Sequence, residues 1–469
     1  MFDVDTRNGS EPGEEIIVTN PFNSDVVGRV RAVSPAVIGD VLARAERGRI
    51  IARGLSRHTR ADILSQAAAL ILERSEVVAQ LIVDEAGKTI GQARQEALRA
   101  ANTLQLSAIE ATRNAGEIVP FDSYAGSENR QGWFTREPLG IIAAITPFND
   151  PLNIVAHKLG PAVAGGNAVI LKPSELTPLS AERLVEILIE AGLPPEVITV
   201  VNGAAELGQA IVSAREIRMI SFTGGFAAGE TIAKTAGLKR LAMDLGGNAP
   251  VIVFDDAKLS LAVERCVSGA FGAAGQNCIG TQRILVQKAI YDEFRVAFIA
   301  ATRMLKTGNP SDAMTDVGPM ITEASARTAK RKVDAAVDLG AIVLVGNYLE
   351  GSLYSPTVLE NVPDQCELSR DEIFAPVVTL QAFDCFDDAI EIANQVDFSL
   401  HAGVFTTSLE RATRASNLID AGGIMINDSS DYRFDGMPFG GFTYGSMGRE
   451  GVRFAYEEMT QPKVVCISN

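Results

Sequence analysis

The sequence predicts an α/β protein of two lobes, each built around a mostly parallel sheet. From Leu139 onward, short apolar runs (IIAAI, AVILKP, VITVV, RMISF, APVIVFDD) alternate with helix-like segments. Runs that are apolar at every position suit strands covered on both faces, the condition of a parallel sheet between helix layers. The chain is 469 residues long, 46% hydrophobic and 21% charged, which supplies cores for two or three domains and excludes a disordered chain.

Taken in order, the chain begins MFDVDTRNGSEPGEE, acidic and without the apolar run of a leader peptide. Residues 35 to 118 carry helical patterns. Ala67, Leu70 and Ile71, then Val77, Val78, Leu81 and Ile82, recur at three- and four-residue spacing and give an apolar stripe. One βαβ unit shows the logic of the next stretch. Ala168 to Leu171 reads as a buried strand, ended at Lys172-Pro173 because proline withdraws a ladder donor. Thr177-Pro178 reads as N-cap and first helical residue. Ala181, Leu184, Val185, Leu188 and Ala191 form the stripe before Gly192, and the next strand starts at Val197. A second α/β stretch begins around 250: a helix over Leu261–Ala274, a strand over Arg283–Val286, helices near Ile290–Leu305 and Ala324–Leu339, and a strand over Ala341–Val345. No Ser/Gly/Pro-rich linker divides the stretches. The boundary near 247 therefore reads as a compact hinge, and the cleft beside it as the default site.

The net charge of -16 repels phosphate backbones, so neither nucleic acid nor an anionic membrane is an expected partner, although a local arginine can still hold a small anion. The apolar run from Leu139 to Thr146 is far shorter than the ~20 residues of a membrane span. Five cysteines, at 266, 278, 366, 385 and 466, have neither disulfide density nor zinc spacing, and three dispersed histidines give no metal site. His157 reads as structural, His58 as lying in the polar start of a helix, and His401 as near the substrate side. A cytoplasmic protein is the expectation.

The candidate nucleophile is Cys278 in GQNCIG, between glycines that keep the backbone open; a buried structural cysteine is the alternative. Phe222-Thr223-Gly224-Gly225, with Gly229, follows a strand and opens a helix, an arrangement suited to a pyrophosphate and also found in plain βα turns. Lys172 at a strand's carboxyl end, with Glu175 three residues on, either clasps a nucleotide ribose or lies in a solvated turn. Asn149, in PFNDP after an apolar strand, offers an amide to a developing oxyanion or caps a turn.

Together these segments give the chain its resemblance. PFN at 147–149, LKPSELTP at 171–178, FTGG at 222–225, LGGN at 245–248, GQNC at 275–278, EIFAP at 372–376, PFGG at 438–441 and GRE at 448–450 stand in the order seen in NAD(P)-dependent aldehyde dehydrogenases. The likeness runs from about residue 15 to 468 and extends to the branch of lactaldehyde and phosphonoacetaldehyde dehydrogenases through FTGG, the run from Asn427 to Arg433, and GMPFGG.

The resemblance implies a Rossmann-like NAD-binding domain (1–118 and 138–247), an α/β catalytic domain (248–450) and a small β oligomerisation element (119–137 and 451–469) of a homodimer or homotetramer. It implies that Cys278 attacks a small-molecule aldehyde, that Asn149 holds the oxyanion, and that the product is a carboxylate. Ile145, Thr146, Pro147, Phe148, Lys172, Ser174, Glu175, Gly208, Phe222, Gly224, Gly225, Leu245, Glu372 and Phe374 are the implied cofactor contacts. Glu175 beside the ribose disfavours a 2′-phosphate, so NAD is expected in preference to NADP. Arg99, Arg433 and Asp150 are the candidate substrate contacts, with the two arginines as anchors for a carboxylate, phosphonate or sulfonate. The chain also departs from the family pattern. Asp244 stands where a glutamate usually activates water, Gly225 replaces a serine, Ala375 a glycine, and Phe442 to Ser446 the usual lysine-containing turn. Asp244 keeps a second reading open, in which coenzyme A rather than water resolves the thioester; a third is a non-enzymatic relative, against which Cys278, Asn149, Lys172 and Glu372 stand.

Overall fold

The computed structural model describes residues 14–113, 115–397, 400–444 and 447–468. The expected absence of a leader, and Gly445-Ser446 of the altered turn, lie outside the described residues.

A hairpin of β1 (Glu15–Thr19) and β2 (Val26–Arg31) precedes four helices, α1 (Ile38–Gly54), α2 (Arg57–Glu73), α3 (Ser75–Ala86) and α4 (Ile90–Arg113). The apolar stripe read across residues 67 to 82 divides at Arg74 between α2 and α3, and Val77 falls on the exposed side. Next come β3 (Gly116–Ile118), β4 (Arg130–Pro138), β5 (Ile141–Ile145), α5 (Asn153–Gly165), β6 (Ala168–Lys172), α6 (Pro178–Glu190), β7 (Ile198–Val200), α7 (Ala205–Ser213), β8 (Ile217–Gly224), α8 (Phe226–Thr235) and β9 (Arg240–Leu245). Strands β7-β6-β5-β8-β9 form one five-stranded parallel sheet. Helix α5 is buried at every position, which is why its sequence shows no polar face.

The second lobe contains β10 (Ala249–Val253), α9 (Leu259–Phe271), β11 (Thr281–Gln287), α10 (Tyr291–Arg303), α11 (Glu323–Asp338), β12 (Ile342–Val345), the short pair β13 (Leu349–Glu350) and β14 (Leu353–Tyr354), then β15 (Thr357–Glu360), α12 (Glu367–Arg370), β16 (Val377–Phe383), α13 (Phe386–Ala393), β17 (His401–Phe405), α14 (Leu409–Leu418) and β18 (Gly423–Ile426). Its seven-stranded sheet runs β12-β15-β16-β11-β10-β17-β18, parallel except for the edge pair β12–β15. The helix expected to reach Ala274 stops at Phe271. Ala273 and Ala274 then adopt φ of 51° and 53°, a left-handed conformation unfavourable for alanine that turns the chain into the Cys278 loop.

The chain closes with α15 (Val452–Glu458) and β19 (Thr460–Ser468). β19 pairs antiparallel with β4, and β4 with β3, so Val464 and Val465 face Phe134 and Trp133 across the ladder. This third sheet begins at Gly116, three residues before the expected 119, whereas α15 packs on α4 and α5 of the first lobe. Among the described residues no helix is long and apolar enough to cross a membrane.

Gly48 of α1 lies against the turn leading to β7, where a Cβ would come 2.0 Å from the Glu196 carbonyl oxygen. Gly48→Ala is therefore expected to destabilise the chain by about 1–3 kcal/mol, the usual cost of overpacking. Gly39→Ala, where a Cβ meets nothing within 4 Å, should be neutral or stabilise by about 0.5–1 kcal/mol. Urea midpoints of the two variants check the pair, and equal shifts would refute the close-packing account.

Candidate active site

The carboxyl ends of β5, β6, β8 and β9 build one wall. Ile145 stands in register with both Lys172 and Phe222, and Thr223 with Asp244, so residues far apart in sequence share one level of the sheet. This is where parallel α/β sheets hold ligands. Lys172 is mostly buried, which lowers its pKa against the opposing pull of Glu175. Across from it, a Cβ at Gly208 would sit 3.7 Å from the Lys172 chain. Gly225 caps the N-terminus of α8, with nothing within 4 Å of where a Cβ would be, and a Cβ on Gly229 would meet Leu245 at 2.3 Å. The Thr146 hydroxyl is buried without a partner. This open helix N-terminus, the buried lysine and the orphaned hydroxyl fit a dinucleotide.

The opposite wall comes from the second lobe. Arg283 donates from Nε to Asn248 Oδ1 (2.8 Å), and Asn248 Nδ2 donates to the Asp371 carbonyl (3.0 Å), tying the 245–248 turn to the loop that carries Glu372 and Phe374. Glu372 lies over the glycines: Gly247 N–H donates to it at 3.3 Å, and a Cβ at Gly246 would be 1.9 Å from its Oε2. Phe374, at φ 50°, meets Phe148 edge-on at 5.7 Å. Burial pushes the Glu372 carboxyl up to about 8, with the Gly247 N–H pulling the other way and Asp244 adding to the rise.

Cys278 is half-buried between the walls. Its loop is pinned by Ser430 Oγ on the Ile279 carbonyl (2.8 Å) and by the Ile321 N–H on Gln276 Oε1 (2.9 Å). Burial and the charge of Asp244 raise the thiol pKa, and Arg433 lowers it. Asp244 itself is buried with both carboxylate oxygens unpartnered. Burial first, then Glu450, push it up to about 8, and Arg433 and Lys158 oppose. Asn149, also buried, sits at the turn between β5 and α5. That turn is held by Glu96, whose Oε1 accepts the N–H groups of Leu152 (2.8 Å) and Asn153 (3.1 Å).

Several charged side chains that the motifs did not single out hold this arrangement. Lys88 bridges Glu96 (2.7 Å) and Asp150. Lys158 donates to Glu450 (3.1 Å), which also accepts from Arg433 (2.9 Å) and Thr223 (3.0 Å). Asp435 receives Arg99 (2.9 Å) and His157 (3.0 Å). Lys158 had one readable signal, a lysine within a run apolar on all sides. Asp435 and Lys88 had none. His157 is wholly buried on Asp435, and burial lowers its pKa. His401, expected near the substrate side, is buried in β17 with Nδ1 at 3.0 Å from the Ser430 carbonyl, Nε2 without a partner, and its ring edge-on to Phe439 at 5.1 Å. Among the described residues no group of side chains is arranged to hold a metal ion.

A cysteine facing buried carboxyl groups beside a dinucleotide cradle defines a nicotinamide-dependent oxidoreductase that works through a thiol. The model of the aldehyde dehydrogenase family matches residues 8–465, and the chain belongs to that family as an NAD(P)-dependent aldehyde dehydrogenase. It is 60% identical to aspartate-semialdehyde dehydrogenase 1 of Pseudomonas canavaninivorans, over 98% of this chain and 97% of that one. It is 40% identical to 3-sulfolactaldehyde dehydrogenase of Priestia aryabhattai (97% and 95% covered) and 38% to lactaldehyde dehydrogenase of Methanocaldococcus jannaschii (97% and 98%), in keeping with the branch expected from the motifs. Among solved structures, aldehyde dehydrogenase 21 of Physcomitrella patens in complex with the reaction product succinate superposes with a TM-score of 0.95 (35% identity, 98% and 96% covered). Glyceraldehyde-3-phosphate dehydrogenase GapN of Methanocaldococcus jannaschii complexed with NADP gives 0.93 (37% identity, 98% and 100% covered).

Asp244 keeps its proton up to about pH 8 in the folded chain, against an ordinary value of 3.8. Between those values the folded state binds more protons than the unfolded one, so this group makes stability fall as pH rises. Asp244→Asn removes the contribution, and its urea midpoint is expected to fall less steeply than wild type between about pH 5 and 8. Parallel profiles would show that Asp244 is not held protonated.

Proposed function

We propose that the protein oxidises a small aldehyde carrying an anionic group to its carboxylate, with NAD as the preferred cofactor, Cys278 as nucleophile, Asn149 as oxyanion donor and Asp244 as the base that resolves the thioester. The observation that carries this reading is the Asp244 carboxyl, buried and unpartnered, and near enough to Cys278 that its ionised form raises the thiol pKa.

In this reading Cys278 Sγ forms a bond to the carbonyl carbon as its proton departs, and the Asn149 amide and Cys278 N–H stabilise the oxyanion. The nicotinamide, when bound, supplies the hydride acceptor, with Lys172 and Glu175 toward its adenosine ribose and Glu372 and Phe374 toward the reacting end. The remaining thioester is attacked by water as Asp244 removes a proton, and cleavage of the C–S bond releases the carboxylate and frees Cys278. Aspartate is one methylene shorter than glutamate, so the water sits closer to β9 than it would under a glutamate. Glu175 at the ribose favours NAD by charge. The anionic substrate rests on the names of the relatives and on Arg99, which is part-exposed, whereas Arg433 is committed to Glu450 and stacked at 3.8 Å over Phe439. Ile118, Trp133, Val464 and Ile467 stand exposed on the β3–β4–β19 sheet, which fits burial against a second copy in a dimer or tetramer.

Cys278→Ala is expected to bind NADH and form none from any aldehyde; turnover at the wild-type rate would refute the nucleophile. Asp244→Asn should release one equivalent of NADH per site and then stall, with acyl-Cys278 visible by quenched mass spectrometry. Wild-type turnover without coenzyme A would refute the base, and rescue by coenzyme A with an acyl-CoA product would favour the acylating reading. Val464→Asp should lower the mass measured by light scattering if the third sheet joins subunits, and an unchanged mass would reject that role.

A further inference from the structure

The charged groups between α4, α5 and the segment before α15 form one network of matched sign. Its cations are Lys88, Arg99, Lys158 and Arg433, and its carboxylates Glu96, Asp150, Asp435 and Glu450. Six of these eight side chains are less than a tenth exposed and held in close pairs. The other two are Arg99, 31% exposed, and Asp150, 25% exposed, and they face each other without touching: Arg99 Nη1 lies 3.7 Å from Asp150 Oδ2. Each also makes a short bond elsewhere, Arg99 to Asp435 and Asp150 to Lys88, so this gap is the longest separation among these ion pairs and lies between their two most exposed members; Asp150 follows Asn149 in the chain, and its charge acts on the Cys278 thiol.

We propose that this gap recognises a zwitterionic head group, so that the aldehyde oxidised at Cys278 is a short α-amino-acid semialdehyde, its carboxylate on Arg99 and its ammonium on Asp150. The assignment deepens the proposed function and rests on it. A zwitterion entering the gap exchanges one long ion pair for two short ones and leaves the charge of the network unchanged. An aldehyde that is only anionic makes Arg99 serve three carboxylates, its own, that of Asp435 and that of Asp150, and leaves a negative charge without a full partner where water is partly displaced. A neutral aldehyde strips water from both side chains and returns nothing to either. Because the head group and the oxyanion amide belong to adjacent residues, 150 and 149, the spacer between the α-carbon and the aldehyde is short.

Four aldehydes of one length separate the charges: aspartate semialdehyde, succinate semialdehyde without the ammonium, 3-aminopropanal without the carboxylate, and propanal with neither. NADH formation by the wild type is expected to give aspartate semialdehyde a kcat/KM at least about tenfold above each of the others, the loss expected when a partly desolvated charge is left without its partner. Asp150→Asn should bring the ratio of kcat/KM for aspartate semialdehyde over succinate semialdehyde down to about one, through KM for aspartate semialdehyde, and Asp150→Glu should restore part of that ratio. Succinate semialdehyde equalling or exceeding aspartate semialdehyde in the wild type overturns the assignment without any variant, as does an equal loss on both substrates in Asp150→Asn. Lactaldehyde oxidised while aspartate semialdehyde is not overturns this inference alone. No NADH from any aldehyde overturns the proposed function and this inference with it.

Discussion

Glu450 is the group on which the arrangement of the site turns. Its carboxylate takes Lys158 from the buried helix of the first lobe, Arg433 from the second, and Thr223 from the strand beside Asp244. Burial works against its ionisation, but the two cations outweigh that and hold it well below the usual carboxylate range. One charged state then dictates another. With Glu450 ionised, the nearby Asp244 is pressed toward its neutral form, and a neutral carboxyl tolerates a site where neither oxygen has a partner. Removing Lys158 or Arg433 singly would leave a buried anion half-compensated, a far greater disturbance than replacing the whole cluster with apolar groups.

The consequence is a carboxyl that keeps its proton beside Cys278. Asp244 acquires its charge only as pH approaches 8, and the same burial keeps the Cys278 thiol protonated at neutral pH. The close approach of Glu372 to Gly246 adds a geometric limit, because any side chain at 246 would displace the one carboxyl that lies over the turn.

Much of the fold was legible because parallel strands buried on both faces leave unbroken apolar runs, as in β5, β6 and β10. The βαβ unit around Lys172 could be read almost to the residue, since Thr177-Pro178 and Gly192 mark the ends of its helix. Pairings across the chain were not legible. Asp435 meets Arg99 across 336 positions, and no local pattern in FDGMP announces a partner on α4. The end of α9 was misplaced because Gly272-Ala273-Ala274 has good helix formers where the fold imposes left-handed alanines.

Lys158 and its carboxylate are 292 positions apart. During synthesis the first sheet and α5 leave the ribosome long before Glu450 and Asp435 exist, so the buried lysine and His157 lack their native carboxylate partners while that lobe is being made. The nascent first lobe must either keep α5 wet or borrow another partner, and its core can close fully only after the C-terminal segment arrives. Docking of the last strands is thus a late step of assembly, and a chain stopped short of residue 450 would hold a cysteine and a cofactor cradle in a lobe that has not finished closing.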